Sequence, residues 1–179
     1  MRKLSMDELQ RDSLEDFKNK QKNPLVLVLD NVRSLHNVGS AFRTADAFAV
    51  EKIYLCGITG TPPNKEIHKT ALGATESVEW SHAPSTLEAV LGLKEQGYSV
   101  WAIEQAEGST TLTDFSPAPD GKYAFVFGNE VFGVEDEVMK AADGVLEIPQ
   151  FGTKHSLNVS VTVGVIVWDV LSKLLSSRG

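Results

Sequence analysis

Among its 179 residues the chain has one cysteine, Cys56. A lone cysteine excludes an intrachain disulfide and any CxxC-type zinc or redox site, and it favours a reducing compartment. Positive charge is also scarce: 17 Lys and Arg against 24 Asp and Glu give a net charge of −7 and a pI near 5.1. The molecule as a whole therefore offers no general attraction to phosphate, and a nucleic-acid partner has to be held by a local basic patch. Long apolar runs are missing as well. The longest, Val159 to Trp168, is too short to span a bilayer and is followed by Asp169, and the N-terminus carries acids where a secretory signal needs an apolar segment. A cytoplasmic protein without a membrane segment is the expectation. What remains is ordinary: 42% hydrophobic and 23% charged residues, the composition of a folded globular chain, at a length that fits one domain with at most a short extension.

Several common sites are missing too. Gly128 to Gly133 has the end glycines of a phosphate loop, but Val134-Glu135 follows where Lys-Ser/Thr must stand. No GxGxxG follows a strand-like run and no GxSxG offers an elbow serine. His36, His68, His82 and His155 have neither HxxxH nor HExxH spacing, so no metal site is expected.

Ser5-Met-Asp-Glu8 reads as a capping box opening a helix to about Lys20, ended by Asn23-Pro24. Residues 1–24 are read as an N-terminal helical extension and residues 25–179 as the main domain. From Pro24 onward, short runs rich in β-branched and aromatic residues (25–29, 52–56, 78–80, 99–103, 123–127 and 144–148) alternate with helical segments at 38–48, 65–72, 84–96, 135–141 and 156–175. This alternation predicts an α/β fold, a parallel sheet covered by helices on both faces, with ligands at the strand ends.

Three polar segments each follow a predicted strand directly. In Asp30 to Arg43, a helix starting near Val38 would make Asn37 its N-cap and put Ser40 and Arg43 on one side; the plainer reading is a cap and a surface Arg43–Asp46 pair. In Phe125 to Gly133, Gly128 permits a tight turn or a close ligand, and Glu130 sits above the sheet edge as a site carboxylate or a turn carboxylate. In Glu147 to Ser160, Ser156 or Asn158 could cap the last helix, while the preceding loop offers backbone donors and acceptors.

Taken together, NxGxxxR (Asn37, Gly39, Arg43), FGNExxG (Gly128 to Gly133) and IPxxGxxxSLNVSV (Ile148 to Val161) resemble motifs 1, 2 and 3 of the SpoU/TrmH branch of SPOUT RNA methyltransferases, over residues 25–175. The resemblance implies a C-terminal trefoil knot, an exception to the rule against threaded chains, S-adenosylmethionine as cofactor without a metal, and a homodimer whose site is shared across the interface. It implies that the backbone around Glu104, Gly128, Ile148 and Leu157 holds the cofactor, that Arg43 is the main catalytic residue, and that Asn37, Glu130, Ser156 and Asn158 order the site. The reaction is methyl transfer to a ribose 2′-hydroxyl. In the family proposal an arginine becomes the base once a substrate phosphate draws on it. A guanidinium is hard to deprotonate, and a bidentate phosphate clamp is the alternative.

Gln150 in the IPQ form, with Gly97 to Gln105 and Leu112 to Phe115, resembles the tRNA guanosine-18 subgroup and tilts the substrate toward tRNA. Arg33, His36, Lys65, His68, Lys69, Lys154 and His155 are the local cations available to RNA. Methylation of rRNA and a non-catalytic RNA-binding module on the same fold are the alternatives.

Overall fold

A computed structural model describes residues 1–177 apart from Met6 and Gln10. Among the described residues seven strands form one sheet: β1 (Asn23–Asp30), β2 (Val50–Cys56), β3 (Trp80–Ala83), β4 (Ser99–Ile103), β5 (Thr110–Thr111), β6 (Tyr123–Phe127) and β7 (Gly144–Glu147). Their order is β3-β2-β1-β6-β4-β7-β5, and every pairing is parallel. β6 thus enters between β1 and β4, and β7 between β4 and β5, slots left open by strands that precede them in the chain.

The helices are α1 (Leu14–Asn19), α2 (Leu35–Ala47), α3 (Lys65–Ala71), α4 (Ala74–Ser77), α5 (Thr86–Glu95), α6 (Asp136–Ala141) and α7 (Val159–Ser177). Alternation along β1 assigns the two faces. Leu25, Leu27 and Leu29 join Phe125 and Phe127 beneath Val38 and Phe42 of α2, Ile67 of α3 and Val163, Ile166 and Val170 of α7. Val26 and Val28 join Ala124 and Val126 beneath Val90 and Leu93 of α5 and Val138 of α6. Burial on both faces is why β1 and β6 read as unbroken apolar runs. Cys56 is fully buried on the second face, and burial, with Asp30 nearby, pushes its thiol up to about 12, so it is chemically inert at neutral pH.

Four expectations change. The N-terminal helix is not continuous: a 3-10 turn at Asp7–Leu9 precedes α1, whose N-cap is Ser13. Glu8 does reach back to the Ser5 amide at 2.8 Å, but the capping residue of the helix itself lies eight positions later. The third strand begins at Trp80, because Val78 is the C-cap of α4 and donates its amide to the Ala74 carbonyl. β5, two threonines on the edge beyond β7, has no apolar pattern to reveal it. Finally, α7 has 19 residues and by length and composition is apolar enough to cross a membrane, which the run 159–168 alone did not suggest. Its Val163, Ile166, Val167, Val170, Leu171 and Leu174 are buried, as in the core helix of a folded domain.

Gly39 sets the spacing of α2 and α3. A Cβ there would lie 2.1 Å from Thr70 Oγ1 and 2.3 Å from the Ile67 carbonyl oxygen, so only glycine lets α3 pack this closely. Thr70 Oγ1 in turn donates to the His36 carbonyl at 3.1 Å.

Candidate active site

A cavity of about 560 Å³ opens where β4, β6 and β7 end. Ile103, Phe127, Leu146, Ile148, Leu157 and Val159 give it apolar walls, and Glu104, Glu130, Ser156 and Asn158 supply polar groups. Carboxyl ends of parallel strands are where such folds bind ligands, and this size and mixture suit a compact polar-apolar molecule. All four residues expected around a cofactor, Glu104, Gly128, Ile148 and Leu157, line it.

One side of the cavity is held by a chain of hydrogen bonds between remote segments. The Glu130 carboxylate accepts from the Arg33 and Ser34 amides, both at 2.9 Å, and from Asn37 Nδ2 at 3.0 Å. Asn37 Oδ1 accepts from Asn158 Nδ2 at 3.2 Å, and Asn158 Oδ1 accepts from the Ser160 amide at 2.9 Å. Each amide side chain gives on one side and accepts on the other, so both orientations are fixed by the network. The cap of α2 is Ser34 rather than Asn37. The helix starts three residues earlier than predicted, which frees the Asn37 side chain to face Glu130. Asn158 does cap α7, as its bond to Ser160 shows.

Burial works against ionisation of Glu130, but its backbone and Asn37 donors outweigh it and hold the carboxyl below the usual range. Because the folded-state value is the lower one, its stabilisation is complete above the ordinary carboxylate range and disappears as pH falls through the folded value. Glu130 is exposed and its interactions are screened by solvent, so Glu130→Gln is expected to cost about 0.5–1 kcal/mol at neutral pH, with the difference from the native chain closing in acid. Thermal melts of both chains between pH 7 and pH 3 check this; a difference independent of pH would contradict it.

Beyond β6 the chain makes a tight turn. Asn129 and Gly133 exchange amide-to-carbonyl bonds, both at 2.9 Å. Asn129 Oδ1 accepts from the Val131 and Phe132 amides, while its Nδ2 donates to the Asn31 carbonyl at 2.7 Å. Glu104 braces the far side through the Val134 amide at 3.3 Å. Below it, buried Asp30 accepts from Thr86 Oγ1 at 2.6 Å, Asn31 Nδ2 at 3.0 Å and the Glu135 amide at 3.1 Å. Asn31 sits in the left-handed region at φ 54°, which asparagine tolerates better than most residues. Asn129 is the fixed asparagine of the FGNExxG motif, whereas Asn31 and Gln105, whose Nε2 donates to the His155 carbonyl at 2.8 Å, are structural members of the site that motif spacing did not single out. Their one visible signal is being polar immediately after a strand.

Other expected residues are more scattered. Ser156 lines the cavity with an exposed residue surface. Arg43 does not line it. Asn37 faces inward from α2, whereas His36, Ser40, Arg43 and Ala47 follow at helical spacing along another face, and Arg43 is exposed beside Arg11, Phe17 and Leu72 in a second groove. No Arg43–Asp46 pair forms; among the described residues Arg43 has no hydrogen bond or ion pair, and Asp46 accepts from Ser77. Of the expected RNA-binding cations, His155 lines the cavity, Lys154 precedes it as an exposed residue, Arg33 is exposed and gives its amide to the cavity residue Glu130, and Lys65 and His68 are exposed on α3. His36 and Lys69 both engage Glu66, at 3.1 and 2.7 Å.

Residues 24–168 match the SpoU rRNA Methylase family. The chain is 30% identical over 171 residues to the 23S rRNA (guanosine-2'-O-)-methyltransferase RlmB of Vibrio vulnificus, covering 96% of this chain and 68% of that protein. It is 32% identical over 171 residues to the tRNA (guanosine(18)-2'-O)-methyltransferase of Thermus thermophilus, covering 95% of this chain and 86% of that one. Its fold matches the crystal structure of the A. aeolicus TrmH/SpoU tRNA modifying enzyme with a TM-score of 0.81 at 26% identity, covering 92% of this chain and 82% of the other. The AdoMet-bound rRNA methyltransferase from Sinorhizobium meliloti matches with a TM-score of 0.77 at 28% identity, covering 91% of this chain and 61% of the other.

Proposed function

The chain belongs to the SpoU rRNA methylase family and is an S-adenosylmethionine-dependent RNA ribose 2′-O-methyltransferase, and from that premise we propose that its substrate is tRNA, methylated at guanosine 18. The observation that carries the reaction is the Glu130–Asn37–Asn158 chain closing one side of the strand-end cavity. Support for tRNA comes from the IPQ form at Gln150 and from the Thermus relative.

The cavity fits the cofactor in size and chemistry. Its apolar walls suit a purine, its polar groups suit a ribose and an amino acid, and its carboxylates suit a cation. Gly128, Ile148 and Leu157 would hold it, with Glu104 bracing the loop behind. When bound, S-adenosylmethionine supplies a methyl group on a positively charged sulfur, open to in-line attack by an oxygen. Glu130 is committed to three donors and held in its ionised form, so it positions Asn37 and takes no proton. Ser156 stands at the cavity with its hydroxyl available to substrate.

Arg43 acts as a phosphate clamp. Its guanidinium has no anionic partner among the described residues, and bidentate binding of the phosphate beside the target ribose neutralises that phosphate and orients the 2′-hydroxyl for in-line attack; as the oxygen–carbon bond forms the carbon–sulfur bond breaks, the neutral thioether S-adenosylhomocysteine leaves, and the hydroxyl proton passes to the clamped phosphate and on to water. Because Arg43 lies outside the cavity of its own chain, the working unit is a homodimer in which Arg43 serves the cavity of the second copy. An exposed apolar stripe on α7 supports this: Val161, Val165, Trp168 and Leu175 recur at helical spacing, and Trp168, 57% exposed, packs on Phe48 just past the end of α2, the helix that carries Arg43. A stripe of this kind marks a protein contact. Threading of the C-terminal segments into a knot is supported by the late insertion of β6 and β7 into the sheet.

Ribose-methylation maps of total RNA from cells with and without the protein test the substrate. Loss of the methyl group at guanosine 18 of tRNA is expected. Loss confined to ribosomal RNA would overturn the tRNA assignment and leave the chemistry standing.

A further inference from the structure

Two phenylalanines beside the cavity are almost wholly in water: Phe132 is 84% exposed and Phe151 is 97% exposed. Both belong to the segments that build the site. Phe132 lies at the tip of the Asn129–Gly133 turn, and Phe151 follows Gln150 on the loop that leads to Ser156 and Asn158. The first is presented by a rigid support, since the Asn129 side chain accepts from the amides of both tip residues and the turn closes on its own backbone. No described ring contact involves either phenylalanine, although Phe115, Tyr123 and Phe125 cluster deep in the core. An aromatic ring held in solvent by a built turn forfeits the burial that stabilises the others, and such exposed apolar surface marks a contact.

The chemistry of the site narrows what touches them. A ribose whose hydroxyl enters the cavity mouth leaves its base just outside, and a base separated from its neighbours gains most from an aromatic face. Cations for the adjoining phosphates are at hand: Arg33 and Lys154 are exposed, and neither side chain has a hydrogen bond or ion pair among the described residues. We infer that Phe132 and Phe151 are the stacking surfaces for the base of the target nucleotide, taken from RNA as an unstacked single base. This rests on the methyltransferase reading above and adds the residues that seize the substrate.

The test uses the full chain as Phe132→Ala, Phe151→Ala and Phe151→Trp. Methyl transfer to unfractionated tRNA and to ribosomal RNA is measured at saturating S-adenosylmethionine, with cofactor titration and sedimentation alongside. Each alanine variant is expected to raise KM for RNA by about tenfold or more, with cofactor affinity and sedimentation unchanged, and Phe151→Trp to restore KM. Alanine variants with native KM and kcat would overturn the stacking role while leaving the enzyme assignment intact. Absence of transfer by the native chain to either RNA would overturn both. Alanine variants that sediment as a smaller species than the native chain would overturn it in favour of a protein contact.

Discussion

Arg43→Lys is expected to lower kcat by about a hundredfold or more while leaving S-adenosylmethionine affinity within about twofold. Lysine keeps the charge but lacks the planar fork that grips two phosphate oxygens at once, so the substrate hydroxyl loses its alignment. Cofactor binding is spared because Arg43 grips the substrate phosphate, while the cavity walls that hold the cofactor are built without it. Single-turnover kinetics and calorimetry read the two quantities separately. Full activity in this variant would remove Arg43 from the mechanism.

Gly128→Ala is expected to act through the opposite half of the site. A Cβ at Gly128 would lie 2.1 Å from the Gly133 carbonyl carbon, 2.2 Å from the Val134 nitrogen and 2.4 Å from the Gly133 oxygen. All three are backbone atoms, so no rotamer change relieves the clash. The turn must open, drawing Glu130 from Asn37, and the expected result is a loss of about 1–3 kcal/mol in stability, with cofactor affinity down by about tenfold as the cavity wall moves. Gly92→Ala on α5 is the control: nothing lies within 4 Å of its Cβ position, and alanine in a helix interior is expected to stabilise by about 0.5–1 kcal/mol. Native cofactor affinity in Gly128→Ala would contradict the close approach.

The two variants also test the shared site together. If Arg43 serves the neighbouring copy, a mixture of Arg43→Lys and Gly128→Ala chains contains heterodimers with one complete site, and activity recovers on mixing. A site confined to one chain gives no recovery.

The sheet was legible where burial writes itself into composition. β4 and β6 match their predicted limits, and β1 and β2 differ by a residue or two at the ends. α4 was not legible, because four residues after a left-handed Leu72 and Gly73 carry no periodicity. Strand order could not be read at all, since pairing across β1, β6 and β4 depends on the whole chain.

The site divides in the same way. Gly128, Glu130 and Asn158 stand where their motifs imply, at strand ends and a helix start. The cap of α2 was misplaced because Ser34 and Asn37 are both good capping residues three positions apart, and only the Glu130 partner decides which side chain is free. That Arg43 turns away from Asn37 follows once the helix is known to start at Leu35. A separation of six positions is about 1.7 helical turns, roughly 120° away from alignment, which places them on different faces.

The central claim is that this cavity delivers a methyl group to a sugar oxygen. Incubation of the full chain with RNA and methyl-labelled S-adenosylmethionine, followed by digestion and separation of nucleosides, measures it directly. Label in a 2′-O-methylated nucleoside is the predicted result; label on a base, or none in RNA, would contradict it.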